Sequence, residues 1–458
     1  MTIFRHGCAM VARALGLAAM LPAAAAMLTT SVAALEVDAQ LGQSVLPTGQ
    51  SGKVYLRLSL KGQPIASRTK RPPVNIALVL DRSGSMKGER IASAKAAARA
   101  ALERLAPDDV VALVAYNHEV DILRPASPLG SEHALQAAIN RLEADGRTAL
   151  HSGVVAGAKE VERYLDETKV NRVILLSDGL ANVGPSSPRE LAELGRKLGA
   201  KGISVTTIGL GLDYNEDLMS RLAASSDGNH AFVEDPEDLS GIFASEFGDA
   251  LSITAKDIEI IIECKVGYKP VRVLGREAAI DGNRIRMKLN QLQGSNERYF
   301  VVEIESPDVK KEGDVEIASV SIDYLDLASG GRKQADVRAT GRYSASTDEA
   351  SKSINKSVMT QVTTQIATET SEKAVELRDK GDISGAKKLL EGNATYLKDA
   401  REQYGSGAGA AAPASIGALK ELEKKQNEAA SNLDAQAWEK TRKSMRYDQH
   451  KSKMQQSY

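Results

Sequence analysis

Cysteine is nearly absent: the 458-residue chain has two, Cys8 and Cys264. Only Cys264 lies beyond the first 34 residues, so the remainder of the chain can close no internal disulfide. A disulfide-stapled secreted scaffold is excluded. Aromatic residues make up 4% of the chain, with a single tryptophan. That argues against a stacking surface for single-stranded nucleic acid. Neither charge dominates: Lys and Arg number 59, Asp and Glu 60. No field for nucleic acid follows from such a balance. After residue 34 no apolar run approaches the ~20 residues that span a bilayer. The sequence also lacks G-x-S-x-G, H-E-x-x-H and P-loop patterns, and its six histidines are scattered.

The first 34 residues are built differently. Arg5 and Arg13 give a positive start, "ALGLAAMLPAAAAML" an apolar core, and Val32 and Ala34 a small-residue cleavage pattern. This reads as a signal peptide removed after Ala34, with an uncleaved membrane anchor as the alternative. Cys8 precedes the apolar core, so it is no lipobox cysteine. Losing Arg5 and Arg13 leaves 57 basic against 60 acidic residues, a net charge of −3. An exported protein without disulfides fits a bacterial periplasm or cell surface.

Patterning divides the remainder of the chain. Residues 35–73 read as strands; "VYLRLSLKG" alternates apolar and polar positions. Over 74–249 solid apolar runs ("VNIALVL", "DVVALVAY", "RVILLS", "GISVTTIGL") alternate with helical patterns. Strands apolar on both faces imply a doubly wound, mainly parallel α/β sheet covered on each side. Residues 250–345 return to alternation, as in an antiparallel β-sandwich. The early strands are expected to join it, which makes the α/β domain an insertion. Residues 346–404 read as helical, 405–418 ("GSGAGAAAPASIGA") as a flexible linker, and 419–458 as a helical basic tail. From Trp438 that tail carries six Lys or Arg against Glu439 and Asp448. It is either a solvated helix or disordered tail, or a contact for an acidic partner or membrane surface.

The densest chemistry is "DRSGSMKG", directly after the first doubly apolar strand. Asp81, Ser83 and Ser85 have period-two spacing and can turn three oxygens toward one point, with Gly84 allowing a tight fold. Alone, the stretch could be a helix-capping turn. Thr148, in "GRTAL" before a helix, and Asp178, in "LLSDGLANVG" after another apolar strand, fall at the same edge of the sheet. Ligand sites of open parallel sheets gather at that edge. Oxygens with few carboxylates suit a hard divalent cation, Mg²⁺ first, with Mn²⁺ or Ca²⁺ as alternatives. His118 is a poor metal ligand here, since no other nitrogen or sulfur donor accompanies it.

Asp81-x-Ser83-x-Ser85, Thr148 and Asp178 together resemble the von Willebrand factor A (VWA) domain, in the form that carries a metal-ion-dependent adhesion site. "LVLDRSGSM" and "LLSDGLANVG" are similar to its bacterial exported branch. The resemblance covers residues 74–249. It implies that Ser83 and Ser85 bind a metal directly, that Thr148 binds directly or through water, and that Asp81 and Asp178 act mainly through waters. The cation would then keep positive character and an open position for an Asp or Glu of a partner protein. Gly146-Arg147 replaces the paired glycines of many relatives. Arg147 would stand at the rim, solvated or clamping the partner's carboxylate, and Asn117 is placed at the same rim.

A haloacid-dehalogenase-type phosphatase also puts an Asp after its first strand, but needs a second Asp where this chain has Ser83. No general base stands beside an activated water, so the reading is a binding module, not an enzyme. A structural or assembly factor of the cell envelope, with the metal site mainly stabilising the fold, is the alternative.

Overall fold

A computed structural model describes residues 34–64, 71–130, 132–407, 409–454 and 456–457. The expected signal peptide, but for Ala34, lies outside the described residues. The described residues from Ala34 onward pack as one compact unit.

The described residues open with β1 (Leu35–Leu41), β2 (Val45–Pro47) and β3 (Gly52–Gly62). A separate sheet follows: β4 (Val74–Asp81), β5 (Val110–Tyr116), β6 (Val120–Pro128), β7 (Val170–Ser177), β8 (Ile203–Leu210) and β9 (His230–Val233). Its helices are α1 (Glu89–Leu102), α2 (Glu132–Asn140), α3 (Leu150–Glu162), α4 (Pro188–Ala200), α5 (Glu216–Ser225) and α6 (Leu239–Leu251). The spatial order is β6-β5-β4-β7-β8-β9. All neighbours are parallel except β6 against β5.

Every residue of β4, β5, β7 and β8 is buried, as strands covered on both faces require. Ile76, Leu78 and Leu80 of β4 meet Ala97 and Ala101 of α1 and Phe243 and Phe247 of α6 in one core. Ala77 and Val79 face Val154 and Ala158 of α3 and Leu191 of α4 in another. The strand β6 carries no clear sequence signal, because Pro125 and Pro128 interrupt it. Proline is tolerated at a sheet edge or bulge; β6 is the edge, and its register with β5 shifts twice.

The chain then builds β10 (Ile253–Cys264), β11 (Lys269–Val273), β12 (Ala279–Asp281), β13 (Arg284–Gln293), β14 (Glu297–Ser306), β15 (Gly313–Asp326) and β16 (Gly331–Ser344). One sheet runs β1-β3-β14-β11 and a second β12-β13-β10-β15-β16-β2. Leu56, Leu58, Leu60 and Phe300 from the first share a core with Ile258, Ile260, Leu289 and Val320 from the second. The parallel-sheet domain is therefore inserted between strands of a β-sandwich, β3 and β10. Its two ends meet: Gly62 bridges to Gly294, whose N–H donates to Ser252 O at 2.7 Å. Cys264 is buried in β10, and burial pushes its thiol up to about 11, as befits an inert core residue.

Among the described residues five helices come next, α7 (Thr347–Lys352), α8 (Lys356–Asp379), α9 (Ile383–Tyr404), α10 (Pro413–Ser431) and α11 (Ala435–Lys453), and a short strand, β17 (Gln456–Ser457), then pairs with β14. Val358 and Val362 of α8 lie on Tyr299 and Val301 of β14. The flexible linker expected over 405–418 is shorter in the fold. Proline suits the first turn of a helix, so α10 starts at Pro413, and Ala411 is buried with Tyr404 and Leu419. The basic tail is likewise not free. Arg442 binds Glu216, Asp217 and Asp379, and Arg446 binds Asp217. The buried Lys443 donates to Glu216 Oε2 and to Tyr214 O, both at 2.8 Å. The acidic surface that α11 meets belongs to its own chain, on α5 of the parallel-sheet domain.

Candidate metal centre

In the order β6-β5-β4-β7-β8-β9, β4 has β5 on one side and β7 on the other. The chain leaves β4 toward α1, which packs on one face, and leaves β7 toward α4, which packs on the other. A crevice opens where those connections diverge, the usual ligand position of a doubly wound sheet. Asp81 ends β4, and Asp178 follows β7 directly.

Asp81 is wholly buried, and its partners fix it. Oδ1 accepts from the Ser83 amide at 2.8 Å; Oδ2 accepts from Ser177 Oγ at 2.8 Å and Tyr116 OH at 3.2 Å. Burial pushes its carboxyl up to about 6, against the hydrogen bonds from Ser83 and Ser177, which pull it down. The carboxylate thus holds the turn that carries the serines. A single 3₁₀ turn, Gly84–Met86, precedes α1. The Ser83 and Ser85 hydroxyls stand 3.0 Å apart. Ser85 Oγ donates to Asp178 Oδ1 at 2.7 Å. With its proton directed there, Ser85 accepts from the Ser83 hydroxyl and keeps one lone pair for the crevice.

Thr148 comes from the loop between α2 and α3. That loop is laced to the serine turn: Gly84 N–H donates to Gly146 O at 2.9 Å and Asp145 N–H to Arg82 O at 2.7 Å. On the other side the Thr148 amide donates to Asn182 Oδ1 at 2.9 Å. Gly179 closes the set. A Cβ there would stand 3.1 Å from Ser85 Oγ and 3.5 Å from Thr148 Oγ1. The hydroxyls of both residues therefore border the same notch, kept open by a missing side chain. Asp81, Ser83, Ser85, Thr148 and Asp178 all converge on this end of the sheet.

The donor set fits a hard cation. Mg²⁺ takes oxygens at about 2.0–2.1 Å in octahedral geometry, which sets adjacent ligands about 3 Å apart. The Ser83–Ser85 separation of 3.0 Å matches. Among the described residues no group of three or more His, Cys, Asp or Glu side chains is arranged to hold a metal ion. A hydroxyl-rich set with two carboxylates, such as Ser83, Ser85, Thr148, Asp81 and Asp178, lies outside that pattern.

The rim needs one correction. Asn117 does not face a partner: it is buried, its amide donates to Asp145 O at 2.9 Å, and its Oδ1 accepts from the Glu119 amide at 2.8 Å. An Asn whose oxygen and nitrogen both serve the backbone is a loop brace. Arg147 is exposed, as is His118. His118 lies against Gly146, where φ is +81° and a Cβ would come 2.2 Å from its Nδ1. Only glycine fits that position.

Three residues of the centre escape the motif: Ser177, Tyr116 and Arg90. Arg90 Nη1 donates to Asp178 Oδ2 at 2.7 Å and Nη2 to Asp213 Oδ2 at 3.2 Å. A signal for Arg90 exists in the sequence. Cations are disfavoured in the first turn of a helix, so an Arg at the second residue of α1 calls for an acid nearby.

A family model described as von Willebrand factor type A domain matches residues 75–245. An uncharacterized protein of Synechocystis sp. is 28% identical over 271 residues, 57% of this chain and 64% of the relative. The uncharacterized protein YfbK of Escherichia coli is 28% identical over 194 residues, 42% of this chain and 34% of YfbK. The chain thus spans less than two thirds of the length of either relative. Among solved structures, a von Willebrand factor type A protein from Catenulispora acidiphila superposes with a TM-score of 0.66 at 16% identity, covering 82% of this chain and 89% of its own. That likeness extends beyond the inserted domain and is one of fold. The part of the chain that this family accounts for is residues 75–245, the doubly wound sheet and its helices.

Proposed function

We propose that this protein is an exported, non-enzymatic binding module that captures an acidic side chain of a partner protein through a divalent cation, Mg²⁺ before Mn²⁺ or Ca²⁺. The observation that carries the reading is the convergence of three hydroxyl-bearing residues on one notch: Ser83 and Ser85 3.0 Å apart, and Thr148 beside Ser85 across Gly179. Ser83, Ser85 and Thr148 would hold the ion. A bound cation would supply a hard, positively charged position for a carboxylate oxygen.

The chain's own groups do the rest. Asp81 spends both oxygens on Ser83, Ser177 and Tyr116 and so fixes the serine turn. Asp178 accepts the hydrogen bond of the Ser85 hydroxyl and so orients that oxygen. Asn117 braces the loop that brings Thr148. The exposed Arg147 would pair its guanidinium with the incoming carboxylate. Export rests on the charged start and apolar core of residues 1–34. No helix among the described residues is long and apolar enough to cross a membrane.

The test uses the chain from residue 35 onward and its Asp81→Ala/Ser83→Ala variant, with folding checked by circular dichroism. Calorimetric titration with Mg²⁺ and Mn²⁺ should give binding to the first and none to the second. Capture of an envelope protein should depend on metal, be lost in EDTA and fail in the variant. Capture that survives both EDTA and the double substitution would favour the envelope-assembly role and end the adhesion reading.

A further inference from the structure

Arg90 is an odd companion for a cation site. Its guanidinium lies 2.7 Å from Asp178 Oδ2, and the same carboxylate accepts a hydrogen bond from the Ser85 hydroxyl on Oδ1. Asp178 is fully buried, while the Arg90 side chain is 28% exposed. The far side of the guanidinium is tethered by Asp213. Gly211, with φ +73°, makes room for it: a Cβ there would come 3.0 Å from Nη2 and 3.4 Å from Cζ. The guanidinium is thus held between two carboxylates beside a glycine, as part of the site's construction.

We propose that Arg90 is a built-in counter-charge that sets the metal affinity of the site by neutralising Asp178 when no cation is bound. A buried carboxylate without a partner is costly. In the metal-free form Arg90 supplies that partner. In the loaded form a cation held by Ser83, Ser85 and Thr148 supplies much of the same compensation. Arg90 therefore stabilises the metal-free form more than the loaded form. By linkage its presence weakens metal binding, and metal binding loosens its hold on Asp178. Arg90 is a positioning residue for Asp178 rather than a ligand. The charge that would otherwise draw a cation in unopposed is moderated, so occupancy follows the metal concentration outside.

This inference rests on the reading of the centre as a metal site, and the experiment separates the two. Arg90→Gln and Arg90→Lys are compared with wild type by Mn²⁺ and Mg²⁺ calorimetry and by melting in EDTA and in saturating Mg²⁺. Arg90→Gln should bind Mn²⁺ at least threefold more tightly, melt lower in EDTA, and show a larger Mg²⁺-induced rise. Arg90→Lys, which keeps the charge, should stay near wild type. In wild type, added Mg²⁺ should shift the Arg90 guanidinium N–H resonance and speed its exchange, which keeps the proposal testable if Arg90→Gln does not fold. Wild type that binds metal, with Arg90→Gln binding equally or more weakly, overturns the proposal alone; so does a guanidinium resonance that ignores Mg²⁺. Wild type that takes up neither ion overturns the metal reading and this inference with it.

Discussion

At the scale of single residues, the centre depends as much on absent atoms as on present ones. Gly179 has no side chain where a Cβ would stand 3.1 Å from Ser85 Oγ and 3.5 Å from Thr148 Oγ1. Its φ is not in the left-handed region, so alanine is tolerated by the backbone there. Gly179→Ala should therefore fill the notch without unfolding the chain. Metal affinity should fall several-fold by calorimetry, while the melting temperature in EDTA moves by no more than about 2 °C, as for a substitution costing well under 1 kcal/mol. Unchanged affinity would show that the notch is not where the ion sits. The motif residues are legible in sequence because hydroxyls and acids at the ends of apolar runs are conspicuous. Gly179 lies inside "LLSDGLANVG" but gives no sign there of its purpose, since what a missing Cβ leaves room for depends on loops distant in sequence. Arg90 is legible only as an anomaly of helix electrostatics.

At the scale of elements, the doubly wound sheet is readable because its central strands are apolar on both faces, which few other structures require. The edge strand β6 is not, because its prolines obey the rules of edges rather than those of strands. The brace at Asn117 shows the same limit: a polar residue ending a strand at the sheet's ligand-binding edge looks like a rim residue, and only its partners reveal otherwise. Asn117 N–H donates to Glu119 O and its own carbonyl accepts from the Ala149 amide, so the side chain is one strut of a larger tie. Asn117→Ala should remove the two side-chain bonds and leave Asp145 O and the Glu119 amide short of partners. A loss of about 1–3 kcal/mol follows from unsatisfied, part-buried groups of this kind, seen as a lower melting temperature in EDTA. Metal affinity should fall as well, because Thr148 follows Asp145 by three residues in the braced loop. If Asn117→Ala kept full stability and full affinity, the brace would be decorative.

At the scale of the whole molecule, α11 ties the end of the chain to the VWA domain across more than 200 residues of sequence. The basic character of the tail is visible in sequence; its acidic target is not, since Arg442 and Glu216 lie 226 positions apart and local patterning carries no register between distant helices. The contact encloses two neutral histidines. His230 of β9 and His450 of α11 meet edge to face with ring centres 5.8 Å apart. Burial lowers His230 to about 4, with Glu216 opposing and Lys443 adding to the shift. Burial lowers His450 to about 3, helped by His230, Arg298 and Lys453. Both folded values lie below the ordinary 6.5, so the unfolded chain binds more protons than the folded one below that pH. The stability these residues contribute is complete above about pH 6.5 and is lost as pH falls toward 4. Two buried acids act in the opposite sense: burial raises Asp81 to about 6 and Glu246 to about 7, the latter against the pull of Arg172. The acid response of the wild type alone is therefore a near balance, and the histidine part must be read as a difference. His450→Met keeps an apolar fill and removes one titrating ring, while Asp81 and Glu246 remain common to both chains. Relative to wild type, the variant should gain up to about 1.4 kcal/mol for each pH unit below 6.5. The gain would appear as a narrowing or reversal of any melting-temperature deficit between pH 7 and pH 5. Hydrogen exchange across α11 should slow in parallel at pH 5. A difference between the two chains that stays constant from pH 7 to pH 5 would mean that His450 does not enter the folded strap as a neutral ring, and that α11 is held by its ion pairs alone.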